Sequence, residues 1–121
     1  MKVYLSGPMT GIENYNCDGF SNAEKEIWKR AKNVEVLNPW VLSGVVSAEC
    51  TRLGATPEYY DYLRYDIQKL MTADAVFLLD GWENSKGAVI ENEIAQKVGI
   101  PSFAKMDELF AYIDSLRSLN E

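Results

Sequence analysis

The stretch Ala75-Val-Phe-Leu-Leu-Asp-Gly-Trp-Glu-Asn-Ser-Lys-Gly-Ala-Val-Ile-Glu-Asn-Glu-Ile-Ala95 decides how this chain folds. Ala75–Leu79 is an unbroken apolar run of strand length, the signature of a buried strand. Asp80-Gly81 breaks it, and from Lys86 the apolar residues change to helical spacing. On that helix Ala88, Ile94, Ala95 and Val98 share a face with Glu91, at offsets of three, four and seven residues. Glu93 points about 200° away, which suits a solvent-side pair with Lys97. One carboxylate therefore lies on an otherwise apolar face. By pattern alone it is either an edge residue favouring the helix dipole or a reagent.

The same strand-then-helix unit recurs on both sides. Lys2–Ser6 is a short β-type run that ends in the turn-rich Gly7-Pro8-Met9-Thr10-Gly11. Ser21 to Glu24 has capping-box spacing, and the helix it opens runs to about Lys32 with Phe20, Ala23, Ile27 and Ala31 as its stripe. Val34–Leu37 is a second strand stopped by Asn38-Pro39, and residues 40–56 show no periodicity and read as a long loop. Thr56-Pro57-Glu58 predicts a helix start, with Tyr59, Leu63, Ile67 and Leu70 facing inward as far as Met71. After the helix from Lys86, capped at Gly99, Ile100–Ala104 is a fourth strand, placed at an edge because Pro101 cannot donate to a ladder. Met106–Leu119 closes the chain with the stripe Leu109, Phe110, Ile113 and Leu116.

Four alternations of strand and helix predict an α/β fold: a doubly wound, Rossmann- or flavodoxin-like parallel sheet with strand order 2-1-3-4 and helices on both faces. The 121 residues suit one domain, spanning 1–121, with no repeat or linker. Ligands in such sheets bind beyond the carboxyl ends of the strands. Here those ends are Ser6–Gly11, Asn38–Trp40, Asp80–Lys86 and Lys105.

Composition narrows the chemistry. The net charge of −6 argues against duplex nucleic acid as a partner. It leaves room for a small anion held by a helix N-terminus. There is no histidine, which removes Ser-His triads and most zinc sites. Acid–base work must fall to carboxylates, tyrosines or lysines, and no metal or cofactor is expected. The two cysteines, Cys17 and Cys50, lack metal spacing. No leader or membrane-length apolar run is evident, so a cytoplasmic protein with reduced thiols is the expectation.

Several residues stand out as site candidates. Gly87 opens the Glu91 helix behind Ser85 and Lys86, where backbone N–H groups, a hydroxyl and an ammonium can meet an anion; Ser85 as a simple N-cap is the plainer reading. Gly7 and Gly11 allow a ligand close to the backbone, or serve an ordinary connection. Asp74, before the third strand, reads as a turn or cap residue, and Asp66 is another acid near an apolar run. Tyr4 alternates with Val3 and Leu5 in the first strand, at the core or its edge. Tyr59, Tyr60, Tyr62 and Tyr65 read as helix packing.

Taken together, Tyr4-Leu-Ser-Gly-Pro-Met-Thr-Gly11, Asn38-Pro39, Tyr65-Asp66-Ile67 with Leu70 and Ala73-Asp74, and Gly87-Ala-Val-Ile-Glu91 with Ala95 and Gly99 resemble the nucleoside 2-deoxyribosyltransferase-like superfamily. Within it the chain is similar to a small branch found in bacteria and bacteriophages, and to the 2′-deoxynucleoside 5′-monophosphate N-glycosidases. The nucleophilic glutamate of that superfamily is followed by alanine at +4 and glycine at +8, with glycine at −4. Glu91 meets all three spacings and Glu93 none. The second glycine common two residues before the nucleophile is Val89 here.

The resemblance implies that Glu91 attacks the anomeric carbon and displaces the base, forming a covalent glycosyl-enzyme without a metal or cofactor. It implies Asp74 as an assisting acid. Ser85 occupies the position at which nucleoside transferases carry aspartate and monophosphate hydrolases carry serine. A hydroxyl there removes repulsion against a phosphate, so a nucleoside 5′-monophosphate is the expected small-molecule partner. Tyr4, Ser6, Gly7, Pro8, Gly11, Ser85, Lys86 and Gly87 are the expected substrate contacts, and a homo-oligomer is implied. The alternative is a non-catalytic nucleotide-binding or sensor module on the same fold.

Overall fold

The computed structural model describes residues 1–119. Four parallel strands, β1 (Lys2–Ser6), β2 (Glu35–Leu37), β3 (Ala75–Leu78) and β4 (Ser102–Phe103), form one sheet in the order β2-β1-β3-β4. Five helices accompany them: α1 (Cys17–Arg30), α2 (Pro39–Arg52), α3 (Tyr59–Leu70), α4 (Lys86–Lys97) and α5 (Met106–Leu119). The α/β class, the parallel sheet and its order agree with the alternation in the sequence. Val3 registers with Val36 and Ala75, and Ser6 with Leu78.

Side-chain alternation along the strands builds two apolar layers. Val3, Leu5, Ala75, Phe77 and Leu79 meet Phe20, Ala23 and Ile27 of α1 and Leu109, Phe110 and Ile113 of α5. Tyr4, Val76 and Leu78 face the other way, against Leu70 of α3 and Ala95 of α4. Full burial of each large side chain contributes about 1.5–3 kcal/mol, so the central strands β1 and β3 carry most of the core.

The main departure is α2. Residues 40–52 are helical, not an extended loop. The Asn38 side chain accepts from the Trp40 N–H at 3.0 Å, and Pro39 takes the first helical position. Asn38-Pro39 is thus a strand stop and a helix start at once. The helix hid from periodicity because its apolar residues lie on every side: Val46 is buried while Val41 and Val45 are exposed.

Smaller corrections follow from local hydrogen bonding. α1 begins at Cys17, before the Ser21 capping box, which is not used. α3 begins at Tyr59; the Glu58 N–H donates to Oδ2 of Asp61 at 2.8 Å, so the start lies beyond Thr56. Val98 is exposed, outside the stripe expected of α4. At its C-terminus Gly99 adopts φ +79° while the Ile100 N–H reaches the Ala95 carbonyl, a Schellman cap. β4 is shorter than expected and lies at the sheet edge. Among the described residues no helix is long and apolar enough to cross a membrane.

Candidate active site

β1 delivers two side chains to one helical carboxylate. The hydroxyl of Tyr4 donates to Oε2 of Glu91, and the hydroxyl of Ser6 donates to Oε1 at 2.8 Å. Tyr4 and Ser6 are fully buried and Glu91 is 5% exposed. Alternation explains the pair: residues two apart on a strand face the same side, here towards α4. Glu91 therefore lies inside the protein with both oxygens engaged.

Burial pushes the Glu91 carboxyl up to about 7, and the two hydroxyl donors act in the opposite sense by favouring the charged form. Burial, Glu91 and Asp66, together with the hydrogen bond to Glu91, hold the Tyr4 phenol well above its ordinary value, so Tyr4 remains a donor.

Asp66 of α3 is the acid that joins Glu91. Burial, then the Glu91 charge, raises its carboxyl to about 8, and its Oδ1 is buried with no hydrogen-bond partner. Asp66 and Glu91 thus both hold their protons more tightly than free carboxyls do. A sequence signal for Asp66 existed: like Glu91, it sits on an apolar helical face, three residues after Leu63 and four before Leu70.

Asp74 does not join them. Its Oδ2 accepts from the backbone N–H of Lys2 at 2.8 Å, at the amino end of β1 and β3. Ser6, which holds Glu91, is at the other end of β1, about 13 Å along the strand. Asp74 lies with Met1, Asn33 and Val34 in a shallow depression on that far edge. The acid expected to assist Glu91 is thus a capping residue. Glu93 is exposed and no ion pair joins it to Lys97.

The loops at the carboxyl ends pack against one another. Gly7 passes so close to β3 that a Cβ there would stand 2.7 Å from the Leu79 Cβ. Gly81 takes φ +83° beside the Pro8 ring, bringing the loops after β1 and β3 together. Gly11, exposed with φ +81°, turns the chain away towards a left-handed segment at Asn14, Tyr15 and Asn16. The Asn16 side chain donates to the Pro8 carbonyl at 2.9 Å, and the Trp40 indole N–H donates to the Asn14 carbonyl at 3.0 Å. Neither anchor is evident from sequence, because both involve residues with left-handed backbone and the second also depends on helix α2. Ser85 caps α4, accepting from the Ala88 N–H at 3.2 Å; Lys86 is exposed and Gly87 half-buried. Among the described residues no group of three or more His, Cys, Asp or Glu could hold a metal.

Every residue of this constellation falls within residues 1–103, the span matched by the family described as "Domain of unknown function (DUF4406)". The chain belongs to the DUF4406 family. No curated protein and no solved structure matches it. The DUF4406 match runs through β4 and stops before α5, so the sheet and the Tyr4–Ser6–Asp66–Glu91 cluster are inside it and the closing helix is outside.

Proposed function

We propose that this DUF4406 domain cleaves or transfers the N-glycosidic bond of a nucleoside 5′-monophosphate, with Glu91 as nucleophile and Asp66 as general acid. The observation that carries the proposal is the buried Glu91 carboxylate held at both oxygens by Tyr4 and Ser6, with Asp66 beside it. A purely structural glutamate gains nothing from a second buried acid, because each such group costs several kcal/mol to desolvate when charged. The resemblance of Gly87, Glu91, Ala95 and Gly99 to the nucleoside 2-deoxyribosyltransferase-like superfamily supports the same reading.

The chemistry needs only residues of this chain. An ionised Glu91 oxygen attacks C1′ of the sugar, and the C1′–N bond breaks with its electron pair moving to the base nitrogen. Asp66 donates its proton to the departing base. Water, or a second base, then attacks C1′ and passes its proton to Asp66 while Glu91 leaves as a carboxylate. Tyr4 and Ser6 orient Glu91 and keep a fraction ionised despite burial. Ser85, Lys86 and the α4 N-terminus suit a phosphate, with Gly7, Pro8 and Gly11 near the sugar.

A second reading, a nucleotide-binding sensor without turnover, draws support from the 5% exposure of Glu91, which keeps the carboxylate away from solvent. Incubation with a panel of ribo- and deoxyribonucleotides and nucleosides, scored for free base by chromatography, separates the two. Base release that is lost in Glu91→Gln supports the enzyme. Tight nucleotide binding, equal in wild type and Glu91→Gln and without base release from any substrate, supports the sensor.

A further inference from the structure

Glu91 is only 5% exposed, too little for a sugar carbon to meet its carboxylate, so some group must move to admit a substrate. α3 and α4 pack side by side, with Tyr59 at the first position of α3 and Gly87 in the first turn of α4. Asp66 lies about 10 Å further along α3 and Glu91 about 6 Å further along α4, from the helical rise. Asp66 and Glu91 therefore lie further along their helices than Tyr59 and Gly87.

Tyr59 reaches from the start of α3 to the start of α4. Its hydroxyl is so close to Gly87 that a Cβ built there would meet it at 3.1 Å. Helical side chains lean towards the N-terminus, which sets the ring at the two helix starts. Burial, then Glu91 and Asp66, raise the Tyr59 phenol, as expected of a hydroxyl that faces both acids. Yet the residue is 50% exposed, and it adjoins the exposed segment Thr51–Thr56. Half of its surface is free of packing, so a side-chain rotation outward loses few contacts.

We propose that Tyr59 is the gate of the site: its hydroxyl resting on Gly87 closes the mouth between α3 and α4, and an entering nucleotide turns the ring outward to reach Asp66 and Glu91. The inference rests on the reading of Glu91 and Asp66 as the working pair. Gly87 fits the role, since even a Cβ there would crowd the hydroxyl at 3.1 Å. Tyr59 is accordingly a positioning residue that controls access rather than a group that reacts.

The test uses ligand-free protein, so its outcome does not depend on which substrate is correct. Carboxyl groups are labelled with a carbodiimide and an amine, and labelling at Glu91, Asp66 and Asp74 is read by peptide mass spectrometry. Tyr59→Ala and Tyr59→Leu are compared with wild type, each checked for folding by circular dichroism. The expected result is a severalfold rise in labelling at Glu91 and Asp66 in both variants, with Asp74, at the far end of the sheet, unchanged. Should Tyr59→Ala not fold, Tyr59→Leu, which keeps an apolar stem but cannot reach Gly87, decides. Wild-type labelling at Glu91 and Asp66 in a folded variant overturns the gate. That result would leave the glycosidase reading intact, whereas failure to release base would leave the gate intact.

Discussion

The Tyr4 hydroxyl donates to Oε2 of Glu91 across 87 residues of sequence, joining the first strand to the fourth helix inside the core. Tyr4→Phe keeps the ring and removes the donor. A buried acceptor left unpaired costs about 1–3 kcal/mol, so the variant should unfold at lower denaturant concentration. Losing a donor to the charged form also raises the Glu91 carboxyl further above its value of about 7. The rise of base release with pH should therefore move to higher pH, which a pH–rate profile measures. An unchanged profile would show that Tyr4 does not control ionisation of Glu91.

Asp66→Asn should lower the rate of base release by about 10²–10⁴-fold, the ordinary worth of a positioned general acid. Asp74→Asn should leave it close to wild type, because Asp74 bonds the Lys2 backbone at the opposite end of the sheet. Steady-state kinetics of the two variants decide between them. Equal losses would return Asp74 to the site.

The two buried acids also set the sign of a pH effect on stability. Glu91 rises from 4.5 to about 7 and Asp66 from 3.8 to about 8 on folding, so the folded protein binds protons more tightly than the unfolded chain. Their stabilising contribution is complete below the unfolded values near pH 4 and is lost as pH rises through about 7 to 8. Chemical denaturation should show stability falling between about pH 5 and pH 8, by an amount on the order of a few kcal/mol shared by the pair. Asp66→Asn and Glu91→Gln should each flatten that slope. A wild-type stability that climbs over the same range would contradict the burial of the pair.

How much of this was legible in the sequence depends on what each residue needed. Glu91 was legible because an acid on an apolar helical face breaks a pattern, and its glycine and alanine spacings sharpened it. The sheet order was legible because the strands alternate with helices. Asp66 carried the same signal as Glu91, but the family resemblance pointed to Asp74 as the assisting acid. Strand direction excludes Asp74, since it enters β3 at the amino end while ligands bind at the carboxyl end. Helix α2 was not legible from periodicity, because its apolar residues surround it. The hydrogen bonds of Asn16 and Trp40 followed from tertiary placement alone.

Gly7→Ala tests the close approach of the loop after β1 to β3. A methyl group there meets the Leu79 Cβ at 2.7 Å, and neither backbone can yield without disturbing Ser6. The expected loss of stability is about 1–3 kcal/mol, as for an overpacked core. Thermal or denaturant unfolding measures it, and a neutral effect would mean that the loop moves freely from the strand.

If Glu91 is the nucleophile, it bonds covalently to the sugar during turnover, and that bond can be trapped. Wild-type protein is mixed with a deoxynucleoside 5′-monophosphate that it cleaves, quenched in acid within a turnover, digested and weighed peptide by peptide. The expected result is a deoxyribosyl-phosphate adduct on the peptide bearing Glu91, absent in Glu91→Gln, which also stops releasing base. Base release that persists in Glu91→Gln, with no adduct at Glu91 in wild type, would contradict it.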